Sequence, residues 1–340
     1  MGQNVAVFGA YGHTGRFVVT ELRDRGFVPL LVGRDEGRLQ ALAASGLEYR
    51  VASVDDPASL DQALTGAAAV INCAGPFAST AAPVIEAALR TGIPYVDVAA
   101  EIEANVDTFT HFTDRARAAG VAVVPAMAFF GGLGDLLVTT AMGDWTAADE
   151  AHVAYGLNSW HPTAGTLAAG AVSRERRDGH RVRYTGGRLD YYVDGGDLPR
   201  TEWDFPAPTG RRTVLGDFTM ADVVTVPSHL SIPEVRTYMT IDAARDLAAP
   251  STPAPAAVDE LGRSAQTFTV DVIVRSGDTR RRVIASGRDI YAISAPLAVE
   301  AVHRILGGRT RTSGVASAGA IFDAPDFLRA LSAQITLDIF

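Results

Sequence analysis

Three glycines spaced three apart, Gly9, Gly12 and Gly15, follow the apolar run Val5-Ala6-Val7-Phe8 and lead straight into a helical pattern. That order predicts a strand, a tight turn and a helix start. Glycine suits such a turn because the chain reverses sharply, and a missing Cβ lets backbone N–H groups approach a diphosphate at the positive end of the following helix. The pattern predicts dinucleotide binding, with Gly9, Tyr11, Gly12, His13, Thr14 and Gly15 as contacts. Its spacing differs from the usual G-x-G-x-x-G, so the context has to carry the reading; the bland alternative is a packed strand–helix turn. About 20 residues further on, where such sites select the ribose group, a second apolar run over 29–32 ends in Gly33-Arg34-Asp35. A guanidinium at Arg34 can grip a 2′-phosphate and lie against adenine, which favours NADP(H). Two other readings stay open: Asp35 would suit the ribose hydroxyls of NAD(H), and Arg34 could be a solvated charge.

The first 125 residues alternate strand and helix. Mostly apolar runs at 5–8, 29–32, 48–52, 68–72, 95–98 and 121–124 read as parallel strands buried on both faces. Helical patterns over 14–25, 36–45, 57–64, 80–90 and 104–119 lie between them, with Asp56-Pro57 at one start and Gly26, Gly92 and Gly120 at three ends. This spacing predicts a doubly wound parallel sheet of the Rossmann type, an α/β class, over residues 1–126. Ligands of such sheets bind at the C-terminal ends of the strands, so Asp55 past the third and Cys73, Ala74, Gly75 and Pro76 past the fourth join the cofactor candidates.

The rhythm then changes. Gly131-Gly132-Leu133-Gly134 forms a turn before an apolar helix, and runs at 150–158, 181–184, 188–193 and 266–275 read as strands and hairpins, with turns at Asp194-Gly195-Gly196 and Ser276-Gly277-Asp278. Residues 127–295 are therefore expected to form an α+β substrate and dimerisation domain on a mostly antiparallel sheet. Residues 296–340 are expected to return as helices to the first domain, and the proline-rich stretch 248–257 to be an exposed loop.

A length of 340 residues fits two domains, and a net charge of −9 argues against a nucleic-acid surface. The single cysteine excludes an internal disulfide and a multi-cysteine metal site. With no apolar stretch of membrane length, the expectation is a cytoplasmic enzyme without metal, nucleic-acid or membrane partners.

The motifs Gly9-Ala10-Tyr11-Gly12-His13-Thr14-Gly15, Asn72-Cys73-Ala74-Gly75-Pro76-Phe77, Tyr95-Val96-Asp97-Val98-Ala99-Ala100-Glu101 and Asp289-Ile290-Tyr291 resemble the saccharopine dehydrogenase-like oxidoreductases. The match is most specific over the first 140 residues. The resemblance implies an NADP(H)-binding Rossmann domain followed by a substrate and dimerisation domain. It does not imply the saccharopine reaction, because the family spans imine-forming dehydrogenases, enoyl reductases and members of unassigned activity. His13 stands where the family usually has Tyr, and Ala100 where a glycine commonly precedes the acid.

Candidates for chemistry gather at the same rim. Gly75-Pro76 would let the backbone pass near the nicotinamide, while Cys73, at a buried strand end, reads more simply as inert than as a nucleophile. Asp97 and Glu101 could orient an amine or exchange a proton; their simpler role is to cap a helix or tie down the nicotinamide loop. His161, in a turn beside Trp160, is the proton-donor candidate of the second domain, and His229 a weaker one. The favoured reaction is NADP(H)-dependent reduction of C=N in a small molecule by a homodimer. Enoyl or carbonyl reduction, or a non-catalytic redox sensor, are the rivals.

Overall fold

The computed structural model describes residues 2–44, 46–193 and 195–340. Ser45, the expected end of the second helix, and Asp194, in an expected turn, lie outside the described residues.

The first part of the chain runs β1 (Asn4–Phe8), α1 (His13–Asp24), β2 (Val28–Gly33), α2 (Glu36–Ala43), β3 (Tyr49–Val51), α3 (Pro57–Leu64), β4 (Ala69–Asn72), α4 (Phe77–Thr91), β5 (Tyr95–Asp97), α5 (Ile102–Ala119) and β6 (Ala122–Val124). After the turn Phe129–Leu133 come α6 (Gly134–Met142), β7 (Glu150–Leu157), α7 (Ala164–Arg176), β8 (Arg181–Thr185), β9 (Arg188–Tyr192), β10 (Arg200–Asp204), β11 (Arg211–Leu215) and α8 (Asp222–Thr225). The chain ends with β12 (Glu234–Thr240), α9 (Ile241–Ala248), β13 (Thr267–Ser276), β14 (Thr279–Arg288), α10 (Ser294–Leu306), β15 (Gly314–Val315), α11 (Ala318–Ile321), α12 (Ala324–Ala330) and β16 (Ile335–Ile339).

One sheet is parallel throughout, in the order β15-β6-β5-β4-β1-β2-β3. Val5, Ala6 and Val7 of its central strand are fully buried, as helices on both faces require. Phe8 is in register with Val32 and Asn72, and Asn72 with Asp97, so four strand ends meet one rim. The strand order reverses between β1 and β4, opening a crevice there.

Local chemistry sets the helix ends. Asp56 accepts N–H from Ala58 and Ser59 ahead of Pro57, and Gly92 and Gly120 stop α4 and α5 in the left-handed region. Three helices start earlier than their patterns predict, α1 at His13 instead of 14, α4 at Phe77 instead of 80 and α5 at Ile102 instead of 104. For α4 the reason is a cap supplied from outside its own segment, described below.

The second sheet runs β10-β11-β12-β7-β13-β14-β16, with the β8–β9 hairpin attached through β12. It is mostly antiparallel, with β12 and β7 paired in parallel. It holds more strands than the four expected: β10 and β11 are charged and largely exposed, so no apolar alternation reveals them. The C-terminal segment divides. α10 packs on α1, and β15 extends the parallel sheet, whereas β16 leaves to pair with β14. Arg25, at the end of α1, contacts Glu300 of α10, which is itself held by the buried Arg304 one turn later at 2.6 Å. One continuous apolar core links α1, the 129–133 turn, α6, α10 and the second sheet.

Candidate cofactor and active site

At the β1–β4 crevice the glycine turn has no room for side chains. Gly9 has φ +84°, and a Cβ there would lie 2.9 Å from Ala74 N; a Cβ on Gly15 would lie 2.2 Å from the Gly9 carbonyl oxygen. α1 therefore starts directly beneath the turn. Among the described residues no side chain caps it, which leaves its first-turn N–H groups without a side-chain acceptor. The ring of His13, at the first helical position, makes edge contacts with Phe17 at 5.4 Å and Tyr291 at 5.2 Å. Its Nε2 is buried without a hydrogen-bond partner among the described residues. Burial lowers the imidazole pKa, outweighing the pull of Asp289.

On the β2 side, the Tyr11 ring lies so close that a Cβ on Gly33 would meet its Cε1 at 2.6 Å. Arg34 is exposed just beyond the strand. Asp35 caps α2 through Arg38 N at 3.0 Å and pairs with the Arg38 guanidinium at 3.4 Å. The same guanidinium sits 5.7 Å from the centre of the Tyr11 ring. Sequence reasoning missed Arg38, although it follows Arg34 by four residues, about one helical turn. Asp55 is exposed past β3 and is engaged with Ser53.

The carboxylates at the rim are held by backbone. Glu101 Oε1 accepts from Phe77 N at 2.7 Å and Oε2 from Ala78 N at 3.0 Å, so Glu101, beyond β5, caps α4 beyond β4 and holds the end of the loop of Cys73, Ala74, Gly75 and Pro76. Asp97 Oδ1 accepts from Ala99 N at 3.0 Å and Ala126 N at 2.8 Å, and Oδ2 from the Tyr95 hydroxyl at 2.8 Å. Burial pushes Asp97 up to about 6 and also raises Glu101, against those same N–H donors. Every carboxylate oxygen of the two acids therefore holds a backbone or tyrosine donor, the arrangement their simpler expected role of capping and tying down loops requires. Asn72, which the motif contained without a role, completes the layer: its Nδ2 donates to Tyr95 and Thr80, and its Oδ1 accepts from Ala74 N. Cys73 is part-buried, and burial together with the Asp97 charge pushes its thiol up, away from a reactive thiolate.

Comparison with known proteins meets this geometry at the same residues. Residues 5–124 match the family described as saccharopine dehydrogenase NADP binding domain. A probable mitochondrial saccharopine dehydrogenase-like oxidoreductase of Arabidopsis thaliana is 32% identical over 143 residues, which are 37% of this chain and 32% of that protein. The Bos taurus saccharopine dehydrogenase-like oxidoreductase is 25% identical over 146 residues, 37% of this chain and 34% of that one. Over residues 5–124 the chain is similar to the NADP-binding domain of the saccharopine dehydrogenases. Its match spans about a third of the length of these curated relatives. Apo saccharopine dehydrogenase (L-Glu forming) from Saccharomyces cerevisiae aligns over 100% of both chains with a TM-score of 0.67 and 13% identity, so the likeness extends to the fold of the second sheet. The family match makes NADP(H) the dinucleotide of this domain.

The second sheet contributes an aromatic layer beside the parallel sheet. Phe130 packs against Tyr155 at 4.9 Å and Trp160 at 5.1 Å. His161 follows Trp160, is part-exposed, and offers its carbonyl to the Tyr291 hydroxyl at 3.3 Å. Two buried acids lie below the layer. Asp222 accepts from the Tyr155 hydroxyl at 2.8 Å on both oxygens, and burial with the nearby Asp135 charge pushes it up to about 7. Asp135 holds His229 Nε2 at 2.7 Å and Gly319 N at 2.7 Å; burial would lower the His229 pKa, but Asp135 more than offsets it and raises it. His229 is thereby placed in a structural ion pair. Among the described residues no group of three or more His, Cys, Asp or Glu is placed to hold a metal, and no helix is long and apolar enough to cross a membrane.

Proposed function

We propose that this chain is an NADP(H)-dependent oxidoreductase acting on a small organic substrate, with C=N reduction or its amine-oxidising reverse as the favoured chemistry. One juxtaposition carries the reading: the uncapped start of α1 and the 73–76 loop fixed by Glu101 face each other across the β1–β4 crevice. The first suits a diphosphate, and the second lies where a parallel sheet of this order seats the rest of a dinucleotide.

NADP(H) supplies the hydride; the protein supplies position, shielding and protons. Gly9, Gly12 and Gly15 keep side chains out of the phosphate path, while Tyr11, His13 and Thr14 line it. Arg34, with Arg38 one turn later, offers guanidinium groups to a 2′-phosphate, and Asp35 is engaged by Arg38 and so is poorly placed to serve ribose hydroxyls. Asp97 and Glu101 hold the loops and donate no proton in this reading. His161, part-exposed at the start of α7, is the proton donor we assign, with water as the alternative source.

The engagement of both rim acids also favours a second reading, a dinucleotide-binding redox sensor without turnover. NADPH absorbance followed over a panel of imines, enones and ketones separates the two. Oxidation with an imine supports the favoured chemistry, oxidation with an enone or ketone alone moves it to C=C or C=O, and saturable NADPH binding without turnover on any of them supports the sensor. The free outer edges of β10 and β16 would suit a two-fold dimer, which light scattering on the purified chain tests.

A further inference from the structure

We propose that Tyr291 is a positioning residue that ties α7 to the NADP(H) turn, so that cofactor binding at α1 orders the 159–166 loop on the substrate side of the crevice. The inference rests on the NADP(H)-binding reading above and goes beyond it by giving that binding a consequence in the second sheet.

Tyr291 has two working ends. Its ring meets the His13 ring edge-on at 5.2 Å, with the planes 86° apart, and His13 is the first residue of the helix that faces the diphosphate. Its hydroxyl lies 3.2 Å from Trp160 Nε1, 3.3 Å from Thr163 N, 3.0 Å from Thr166 Oγ1 and 3.3 Å from the His161 carbonyl oxygen. A phenol hydroxyl can accept two hydrogen bonds and donate one, so Trp160 and Thr163 donate to it while Thr166 and His161 compete for its proton. Thr163 in turn caps α7 through Thr166 N at 3.1 Å. One oxygen therefore gathers the loop and the first turn of α7.

The base of this strut is rigid. Asp289, buried and with φ +56°, accepts from Tyr291 N, Ala292 N and Ser264 N at 2.7–3.0 Å. α7 itself is poorly anchored by packing: among its described residues Ser173 alone is buried. Its far end is held to α5 by the Arg176–Asp107 and Arg177–Glu103 pairs, each at 2.8 Å. Trp160 is buried against Phe130 and its backbone N–H donates to Asp246 at 3.0 Å, so the start of the loop is fixed on its own; the Tyr291 hydroxyl carries that order on to Thr163 and Thr166 at the near end of α7. An event that fixes His13 fixes the ring against which that hydroxyl is held.

The test measures hydrogen–deuterium exchange of amides 163–167 in the full chain with and without saturating NADPH, alongside an NADPH titration. In the unaltered chain NADPH is expected to slow exchange at least about threefold. Tyr291→Phe keeps the ring contact and loses the hydroxyl, so it should bind NADPH within about threefold of the unaltered chain while the slowing disappears. Thr166→Val, at a part-exposed site, should reduce the slowing in the same direction. An equal slowing in Tyr291→Phe, or unchanged exchange in a chain that binds NADPH, overturns the proposal. A chain that fails to bind NADPH in the titration overturns the cofactor reading beneath it as well.

Discussion

Glu101 caps a helix that is not its own: its Oε1 lies 2.7 Å from the amide nitrogen of Phe77, the first residue of α4, and its second oxygen serves Ala78. A carboxylate at a helix start satisfies orphan N–H groups and complements the helix dipole. Removing a buried acceptor leaves those donors unpaired, at about 1–3 kcal/mol. Glu101→Ala should lower the thermal midpoint by several degrees and weaken NADPH binding, because the 73–76 loop loses its anchor. Glu101→Gln should lose less stability. Calorimetry beside activity decides the matter: an unchanged melting temperature with abolished turnover would return Glu101 to a catalytic role.

Arg34 and Arg38 are expected to share the 2′-phosphate. Charged hydrogen bonds of this kind contribute about 1.5–3 kcal/mol each, so either alanine substitution should reduce the preference for NADP(H) over NAD(H) by roughly 10- to 100-fold. Both side chains are exposed and the fold should not notice. Titrations with both dinucleotides measure the ratio. An unchanged ratio in Arg34→Ala and in Arg38→Ala would refute the assignment.

Much of the parallel sheet was legible because its physics is local: fully apolar strands, glycine at helix ends, and Asp56-Pro57 at a start all announce themselves within a few residues. The rim was not. Glu101 meets its donors 23 and 24 residues away and Asp97 one of its donors 29 away, so only the folded sheet shows that these acids are already engaged. The charged strands β10 and β11 bury little besides Val214 and part of Trp203, too few apolar positions to show a period. Tyr291 lies more than 120 residues from each of its loop partners, and its motif appeared only through a family resemblance. Arg38 had a usable signal, one helical turn after Arg34, that was passed over.

Cys73 should resist alkylation. Its part-buried thiol sits near Asp97, and both burial and that charge favour the protonated form. At neutral pH, labelling by iodoacetamide is expected to be at least about tenfold slower than for a free cysteine, which mass spectrometry can follow. Cys73→Ala should retain NADPH binding, and a loss of turnover there would revive the nucleophile.

Gly15→Ala tests how closely the turn is built. The new Cβ would fall 2.2 Å from the Gly9 carbonyl oxygen, a backbone atom that cannot swing aside. Overpacking of this kind costs about 1–3 kcal/mol or more, and here it also displaces α1 from the crevice. Both the melting temperature and NADPH affinity should fall. Gly37→Ala, on α2 with its nearest outside neighbour at 3.6 Å, is the control that should leave both in place.

The Tyr155–Asp222 pair gives stability a pH dependence with a definite sign. Burial raises Asp222 to about 7 in the fold, against about 4 for an unfolded aspartate. A raised acid stabilises the folded state while protonated, so the contribution is complete below about pH 4 and is lost as pH rises through about 7. His229 acts in the same direction, since its raised pKa adds stability that disappears as pH climbs through it. Acids held low by arginine partners, such as Glu86 and Asp326, lose their contribution only at lower pH; the raised Asp97 and Glu101 act with Asp222, and the buried His13 and His152, whose pKa values are lowered, act against it as pH falls through about 6.5. Lowering the pH from about 7.5 to about 5.5 should therefore add about 2 kcal/mol from Asp222 alone. Asp222→Asn should flatten the response while His229 keeps its share. Denaturant melts at the two pH values measure the difference, and a wild-type protein that is less stable at the lower pH would contradict the assignment.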